Sequence, residues 1–235
     1  MLPTFDIPQV WILLFLGLLP LPVIMLSRLA HRGAPDGKKG VYALSVAVFY
    51  AIYFVYVIVG EHLGWFAKNI FPAKIILLGT IPFALVLFGL VWNSSVFKNL
   101  SRRLKVADFV EVHLFRVMGG FFIVLAALDT LPLWFGLIAG IGDVTAALGS
   151  ILVAGGLRRG YKKAEQWAKI WNTFGFVDIL FTAIAANVLT KLALDNGGDG
   201  VAVLAQFPFI LIPAFAPPTI IFLHLIIYKK LARQS

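Results

Sequence analysis

Residues 134–157 read WFGLIAGIGDVTAALGSILVAGGL, an apolar stretch that ends at the arginine pair Arg158-Arg159. It contains one ionisable residue, Asp143. At ~1.5 Å of rise per residue, a helix of this length crosses the ~30 Å hydrocarbon core of a bilayer. Lipid offers no partners to backbone amides, and a β-barrel would show short alternating segments instead. The stretch therefore predicts a transmembrane helix.

Six further stretches resemble it in length and composition. The seven predicted spans are 7–29, 41–60, 74–92, 109–128, 134–157, 171–192 and 207–228. The chain of 235 residues is 60% hydrophobic and 13% charged, with a mean hydropathy of +0.93, which is too apolar for a soluble domain. We predict an all-α membrane protein, a bundle of about seven transmembrane helices, with residues 1–235 forming one transmembrane domain and no soluble domain.

The basic residues predict the orientation of the bundle. The opposite loops contain only Lys68, Lys74 and Lys191, and Arg116 lies inside a span. The other 16 of the 20 basic residues fall in alternate loops and the C-terminal tail: Arg28, Arg32, Lys38, Lys39, Lys98, Arg102, Arg103, Lys105, Arg158, Arg159, Lys162, Lys163, Lys169, Lys229, Lys230 and Arg233. By the positive-inside rule, the N-terminus lies outside and the C-terminus in the cytoplasm.

Composition also narrows the partners and the chemistry. The net charge of +9 comes from short basic clusters between apolar stretches, so it indicates topology rather than nucleic-acid binding. The expected partner is the lipid bilayer, and no protein partner is indicated. The absence of cysteine excludes disulfides and thiolate sites. The sequence contains no phosphate loop, no zinc-protease motif and no nucleophile elbow, so we predict no catalytic residue.

Ionisable residues inside the spans mark the candidate site, because such groups are costly in lipid and are functional candidates by default. Helical spacing places His113 and Arg116 on one face, with Glu111 pointing elsewhere. Asp143 lies on a stripe of small residues that favours close helix packing. The ionisable residues of the last four spans are Glu111, His113, Arg116, Asp143, Asp178 and His224.

We expect Arg116 to bridge Asp178, Asp143 or both. Such a network is consistent with a purely structural role in fixing helix register. It is equally consistent with a binding site, because one arginine and two aspartates leave a spare negative charge for a proton, a cation or a small ligand. The predicted ligand- or proton-binding residues are Arg116, Asp143, Asp178, His113, His224 and Asn172, with the two histidines at the cytoplasmic mouth.

Two further features bear on function. His113 and His224 share a predicted depth, so axial ligation of a haem iron is an alternative, while other metals and cofactors are undetermined. Prolines interrupt three predicted spans, as in the broken helices of many transporters: Pro20, Pro22, Pro82, Pro213, Pro217 and Pro218. Tyr50, Tyr53 and Tyr56 recur at three-residue spacing, which we interpret as packing.

A set of short motifs runs from His113 to Leu225: Phe115-Arg116-x-x-Gly119, Leu131-Pro132, Gly140-x-Gly142-Asp143, Trp171-Asn172-x-x-Gly175-x-x-Asp178, Pro213 and His224-Leu225. This pattern resembles a family of uncharacterised bacterial multi-span membrane proteins. The resemblance implies a bacterial inner-membrane location and no established activity. The best functional hypothesis is a small transporter-like or ligand- and proton-binding protein. The alternatives are a non-catalytic membrane subunit or assembly factor, and a haem-binding redox protein.

Overall fold

The computed structural model describes residues 5–67 and 70–233, so that Lys68 lies outside the described residues. Within these ranges the chain is helical and contains no strand, and the all-α prediction is confirmed. The helices, in chain order, are α1 Gln9–Gly33, α2 Lys39–His62, α3 Ile76–Val91, α4 Ser95–Arg103, α5 Val106–Ala127, α6 Leu133–Arg159, α7 Ala164–Asn196 and α8 Leu211–Leu231.

Among the described residues, six helices are long and apolar enough to cross a membrane: α1, α2, α5, α6, α7 and α8. The predicted span at 74–92 corresponds to α3, which bends by 78° into α4. It adds a seventh span if this bent pair crosses the membrane once. The number of spans and their direction therefore stay predictions. Helix α7 is longer than the predicted 171–192, because its polar ends continue the helix beyond the apolar window.

Helices α5 to α8 pack around one another and enclose the predicted site. Helix α6 lies between α5 and α7, and α8 packs against α7, α5 and α3. The larger apolar core joins α1, α2, α3, α5 and α8 around Tyr50, Phe83 and Phe109. A smaller core at the other end contains Phe15 and Phe209, whose ring centroids lie 5.0 Å apart. The site lies where the helices bring polar residues between these two cores.

The proline pair at 217–218 shows how α8 tolerates a break in its hydrogen bonding. A proline has no N–H, so the carbonyls four residues earlier, those of Pro213 and Ala214, lose their helical donors. The Thr80 hydroxyl donates to the Pro213 carbonyl at 2.7 Å, and the Tyr53 hydroxyl donates to the Ala214 carbonyl at 3.1 Å. Side chains from α2 and α3 thus satisfy both carbonyls, as lipid cannot.

Helix α3 repeats this arrangement. Pro82 frees the Leu78 carbonyl, and the Tyr56 hydroxyl donates to it at 2.8 Å. Two π-helical segments flank the turn that begins beside Pro82. The tyrosine series does pack, since the Tyr53 and Phe83 rings stack at 4.2 Å. The packing interpretation was nevertheless incomplete, because Tyr53 and Tyr56 also satisfy carbonyls that prolines leave free.

Candidate functional site

The middle of α5 departs from α-helical geometry. An α-helical segment, Val106–Val112, is followed by a 3₁₀ segment, His113–Gly119, and then by Gly120–Ala127. A 3₁₀ helix has three residues per turn, so residues three apart eclipse one another, and runs this long are uncommon. His113, Arg116 and Gly119 therefore line one edge of the helix, and all three are buried. The predicted common face of His113 and Arg116 is confirmed and is more closely aligned than an α-helix would make it.

Arg116 is the centre of the buried polar cluster. Its side chain is 0% exposed and bridges two aspartates, as predicted. Nε donates to Asp143 Oδ1 at 2.7 Å, and Nη2 donates to Asp178 Oδ2 at 2.5 Å. Nη1 donates to the Gly175 carbonyl at 3.0 Å and lies 3.2 Å from His224 Nε2. The guanidinium thus joins α5 to α6, α7 and α8.

These contacts are consistent with a neutral His224. An arginine only donates, so His224 Nε2 must accept from Arg116 Nη1. The ring proton therefore lies on Nδ1, which donates to Asn172 Oδ1 at 2.8 Å. Asn172 Nδ2 in turn donates to the His224 carbonyl at 3.2 Å. This arrangement fits a neutral imidazole whose tautomer is held by Asn172.

His113 lies beside this network without joining it. Its ring is 0% exposed, and its centroid lies 4.2 Å from that of His224 and 5.1 Å from that of Trp171. Within the described residues, neither His113 ring nitrogen has a hydrogen-bond partner. Buried polar atoms nearly always have one. His113 is therefore the member of the predicted set with open hydrogen-bonding capacity.

The geometry does not fit a haem held between the two histidines. Axial ligation would place a porphyrin plane between the rings, with each ligating nitrogen ~2 Å from the iron. The His113 and His224 rings instead contact each other directly, at a centroid distance of 4.2 Å. Both His224 nitrogens are also engaged, with Arg116 and Asn172. Residues 5–67 and 70–233 contain no group of three or more His, Asp or Glu side chains arranged to hold a metal ion.

Gly119 and Gly142 lie directly against the side chains of Asp143 and Asp178. A Cβ atom on Gly119 would overlap the Asp143 side chain, and one on Gly142 would overlap Asp178 Oδ1. Small residues beside Asp143, Gly142 among them, predict close helix packing in general. The structure assigns these glycines a narrower task, because each leaves the space that a carboxylate needs to reach Arg116.

Gly175 plays the same part on α7. A Cβ atom there would lie 2.9 Å from Arg116 Nη1 and 2.8 Å from His224 Cε1. The motif glycines at 119, 142 and 175 thus make room for the polar side chains of neighbouring helices. Their spacing from the charged residues was visible in the sequence, but the helix opposite each of them was not.

Trp171 is a site residue that the sequence analysis missed. Trp171 begins the predicted span 171–192, and a tryptophan at the end of a span typically lies at the membrane interface. Helix α7 begins at Ala164, so Trp171 lies two turns inside it and is only 7% exposed. Its indole donates to the Ala146 carbonyl at 2.9 Å, and its ring contacts both histidines. Trp171 therefore forms one wall around His113.

Glu111 belongs to a separate ionic cluster, as its predicted direction implied. It pairs with Arg32 and, at 2.5 Å, with Arg158, while Asp108 lies 3.5 Å and 3.4 Å from the same two arginines. These residues lie at the ends of α1, α5 and α6 and are partly exposed. The cluster joins the basic ends of α1 and α6 to the acidic start of α5 and does not reach Arg116.

A family model, described as the domain of unknown function DUF8737, matches residues 71–232. The chain belongs to the DUF8737 family. The DUF8737 match begins before α3 and ends at α8, so it includes every residue of the buried cluster and extends beyond the segment 113–225 recognised from the motifs. No curated protein and no solved structure matches the chain significantly. The expected membership of an uncharacterised family is confirmed, and the bacterial inner-membrane location stays a prediction.

Proposed function

We propose that this DUF8737 protein is a small transporter-like membrane protein that binds a proton in the buried cluster of Arg116, Asp143 and Asp178. The charge balance of the cluster carries the proposal. One guanidinium faces two carboxylates, and His224 is neutral, so that the ionised cluster has a net charge of −1. An unbalanced buried charge is costly in a medium of low dielectric constant. One proton on a carboxylate balances it.

The contacts suggest a role for each residue. Arg116 already donates to two carboxylates and a carbonyl and contacts His224, so it holds the acids in place rather than binding an external anion. The Asp143 and Asp178 side chains are 9% and 8% exposed, so either carboxylate can accept the proton. His113, with both ring nitrogens unpartnered among the described residues, serves as the group that exchanges the proton with the surroundings of the cluster.

The proposal includes the predicted topology: one transmembrane domain over residues 1–235, seven spans, an outside N-terminus and a cytoplasmic C-terminus in a bacterial inner membrane. Contacts between basic helix ends support it. Glu111 joins Arg32 of α1 to Arg158 of α6, and Lys230 of α8 donates to the Leu104 carbonyl after α4. Helix ends that the positive-inside rule assigns to the cytoplasm thus meet at one end of the bundle.

Infrared difference spectroscopy between acidic and alkaline buffer tests the proposal on purified protein in nanodiscs. The wild type should show the C=O band of a protonated carboxyl group, and Asp178→Asn should lose it while remaining folded, because asparagine still accepts from Arg116. Asp195→Asn is the control, because Asp195 is exposed and pairs with Lys191. An Asp178→Asn protein with the wild-type band and wild-type proton uptake would mean that the cluster only fixes helix register.

The same charge balance predicts the effect of replacing Asp143. Asp143→Asn should also lose the band, because either single replacement leaves one arginine facing one carboxylate. The double replacement should leave Arg116 without a counter-charge and lower the free energy of unfolding by ~3–5 kcal/mol. Denaturant titration in detergent measures that loss. A double variant as stable as either single variant would contradict the charge balance.

A further inference from the structure

Helix α4 differs from the spanning helices in direction and composition. It leaves α3 at 78°, and the Ser94 hydroxyl caps its first turn by accepting from the Phe97 amide at 3.1 Å. Phe97 and Leu100 pack against the apolar core, whereas Lys98 and Arg102, four residues apart, line a basic cavity beside the helix. A short amphipathic helix that bends out of a span is typical of one lying in the membrane interface.

A basic cavity of about 200 Å³ lies between α4 and the end of α8. Its lining contains no acidic residue and five basic ones: Lys98, Arg102, Lys229, Lys230 and Arg233. The Lys229 ammonium lies 4.8 Å from the centre of the Trp92 ring, which places it at the edge of the cavity. So many cations in one small space favour a bound anion, because they repel one another without it.

An apolar cavity of about 240 Å³ adjoins the basic one, and Phe97 and Ile226 line both. The apolar cavity lies among α1, α2, α3, α5 and α8, with Ala30, Leu87 and Leu223 in its wall. Its polar side chains are already engaged: for instance, the Tyr50 and Thr219 hydroxyls bond each other at 3.1 Å. The molecule therefore has a cationic space at the end of the bundle and an apolar space directly beside it.

We propose that these two cavities bind one phospholipid with an anionic headgroup. The headgroup phosphate lies among Lys98, Arg102 and Arg233, and one acyl chain enters the apolar cavity past Phe97. Basic pockets at helix ends are known to recognise anionic headgroups. A free phosphate would have the same attraction to the basic cavity but would leave the apolar cavity without an occupant. The lipid accounts for both.

Native mass spectrometry of the full chain, released from nanodiscs of mixed phosphatidylglycerol and phosphatidylcholine, tests the proposal. The wild type should retain phosphatidylglycerol in preference to phosphatidylcholine. The double variant Lys98→Gln/Arg102→Gln should bind it about thirtyfold more weakly, since each basic residue near the surface contributes ~1 kcal/mol. The control Lys38→Gln/Lys162→Gln removes the same charge from exposed residues outside the cavity and should retain the lipid. Equal retention of both lipids, or equal loss in both double variants, would overturn the proposal.

Ala30→Leu separates a lipid from a free phosphate. Ala30 is 4% exposed and lines the apolar cavity, so a larger side chain fills the space for the acyl chain without touching the basic residues. Lipid retention should fall, while binding of inorganic phosphate, measured by isothermal titration, should not change. If Ala30→Leu keeps the lipid, and phosphate displaces it from both proteins, the site is a phosphate site and the lipid proposal is wrong. A matched unfolding midpoint for each variant shows that the fold is intact.

Discussion

Two regions of the bundle solve the same problem, that of polar groups buried in an apolar surrounding, in different ways. Where α2 and α3 meet α8, neutral hydroxyls donate to carbonyls that prolines leave free, as Tyr53 does to Ala214 and Thr80 to Pro213. Where α5 meets α6, α7 and α8, Arg116 bridges Asp143 and Asp178. The first region matches one donor to each freed carbonyl. The second leaves a spare negative charge.

This difference distinguishes contacts that only complete the fold from contacts that are candidates for a function. A proline kink with its carbonyls satisfied needs nothing more, so the hydroxyl contacts of α2 and α3 complete the fold. The charged cluster is not complete in the same sense, because it has one acid too many and His113 beside it has no partner among the described residues. Polar groups that the fold leaves unbalanced are the ones that a proton or ligand can balance.

The largest expected effect in this comparison comes from Arg116→Gln. Removing the guanidinium leaves two buried carboxylates without a counter-charge, so the free energy of unfolding should fall by ~3–5 kcal/mol. Denaturant titration in detergent, followed by circular dichroism, measures the loss. Part of it should be recovered at acidic pH, where the aspartates take up protons.

Arg158→Gln is the matched control for Arg116→Gln. Arg158 also contacts two acids, but its side chain is 41% exposed, and exposed ion pairs contribute only ~0–1 kcal/mol. The two replacements remove the same group at different depths. Equal losses would mean that depth does not matter, and the distinction between the buried cluster and the helix-end cluster would fail.

A smaller effect is expected from Gly142→Ala. The added Cβ would overlap Asp178 Oδ1, so the carboxylate must move away from Arg116, at a cost of ~1–3 kcal/mol. Gly155 on the same helix faces open space, with no atom within 4 Å of the place that a Cβ would take, so Gly155→Ala should be neutral or stabilising by up to ~1 kcal/mol. Thermal unfolding of both variants measures the difference. If Gly155→Ala were the more damaging of the two, the assigned task of Gly142 would be wrong.

The sequence was sufficient to predict the bridge between Arg116 and the aspartates. Charges in apolar spans are rare and need partners, and the small residues beside Asp143 and Asp178 placed these acids towards other helices. It was not sufficient for the 3₁₀ segment at His113–Gly119, because no residue there breaks an α-helix. That geometry follows from the packing of α5 against its neighbours, which a pattern along one helix does not contain.

The tyrosine contacts and helix α4 were likewise not predicted from the sequence. Each proline in the sequence predicts a free carbonyl four residues earlier. Which hydroxyl donates to that carbonyl depends on residues far apart in the chain. Tyr56 and Leu78 are 22 positions apart, and Tyr53 and Ala214 are 161 positions apart. The turn into α4 had a local signal that the apolar window hid, since Ser94 is a favourable N-cap residue. The predicted span 74–92 ends close to the end of α3, but hydropathy does not detect the polar helix α4 that follows it.

The smallest expected effect comes from Tyr53→Phe, in the region where neutral hydroxyls donate to the carbonyls of α8. Tyr53→Phe removes the donor to the Ala214 carbonyl but leaves the ring that stacks on Phe83. Interhelical hydrogen bonds in membranes contribute ~0.6 kcal/mol on average and at most ~1.7 kcal/mol, so the loss should lie in that range. Tyr42→Phe on the same helix is the control, because no side-chain hydrogen bond of Tyr42 is found in the described part of the chain.

The same variant tests whether the two regions are independent. Tyr53 and Arg116 act on α8 through different residues, Ala214 and His224, which lie almost three helical turns apart. Tyr53→Phe should therefore leave the carboxyl band of the cluster unchanged while lowering stability, and its effect should add to that of Gly142→Ala. A Tyr53→Phe protein with an altered carboxyl band would show that the proline kink positions His224, and the hydroxyl contacts would then belong to the site rather than to the fold alone.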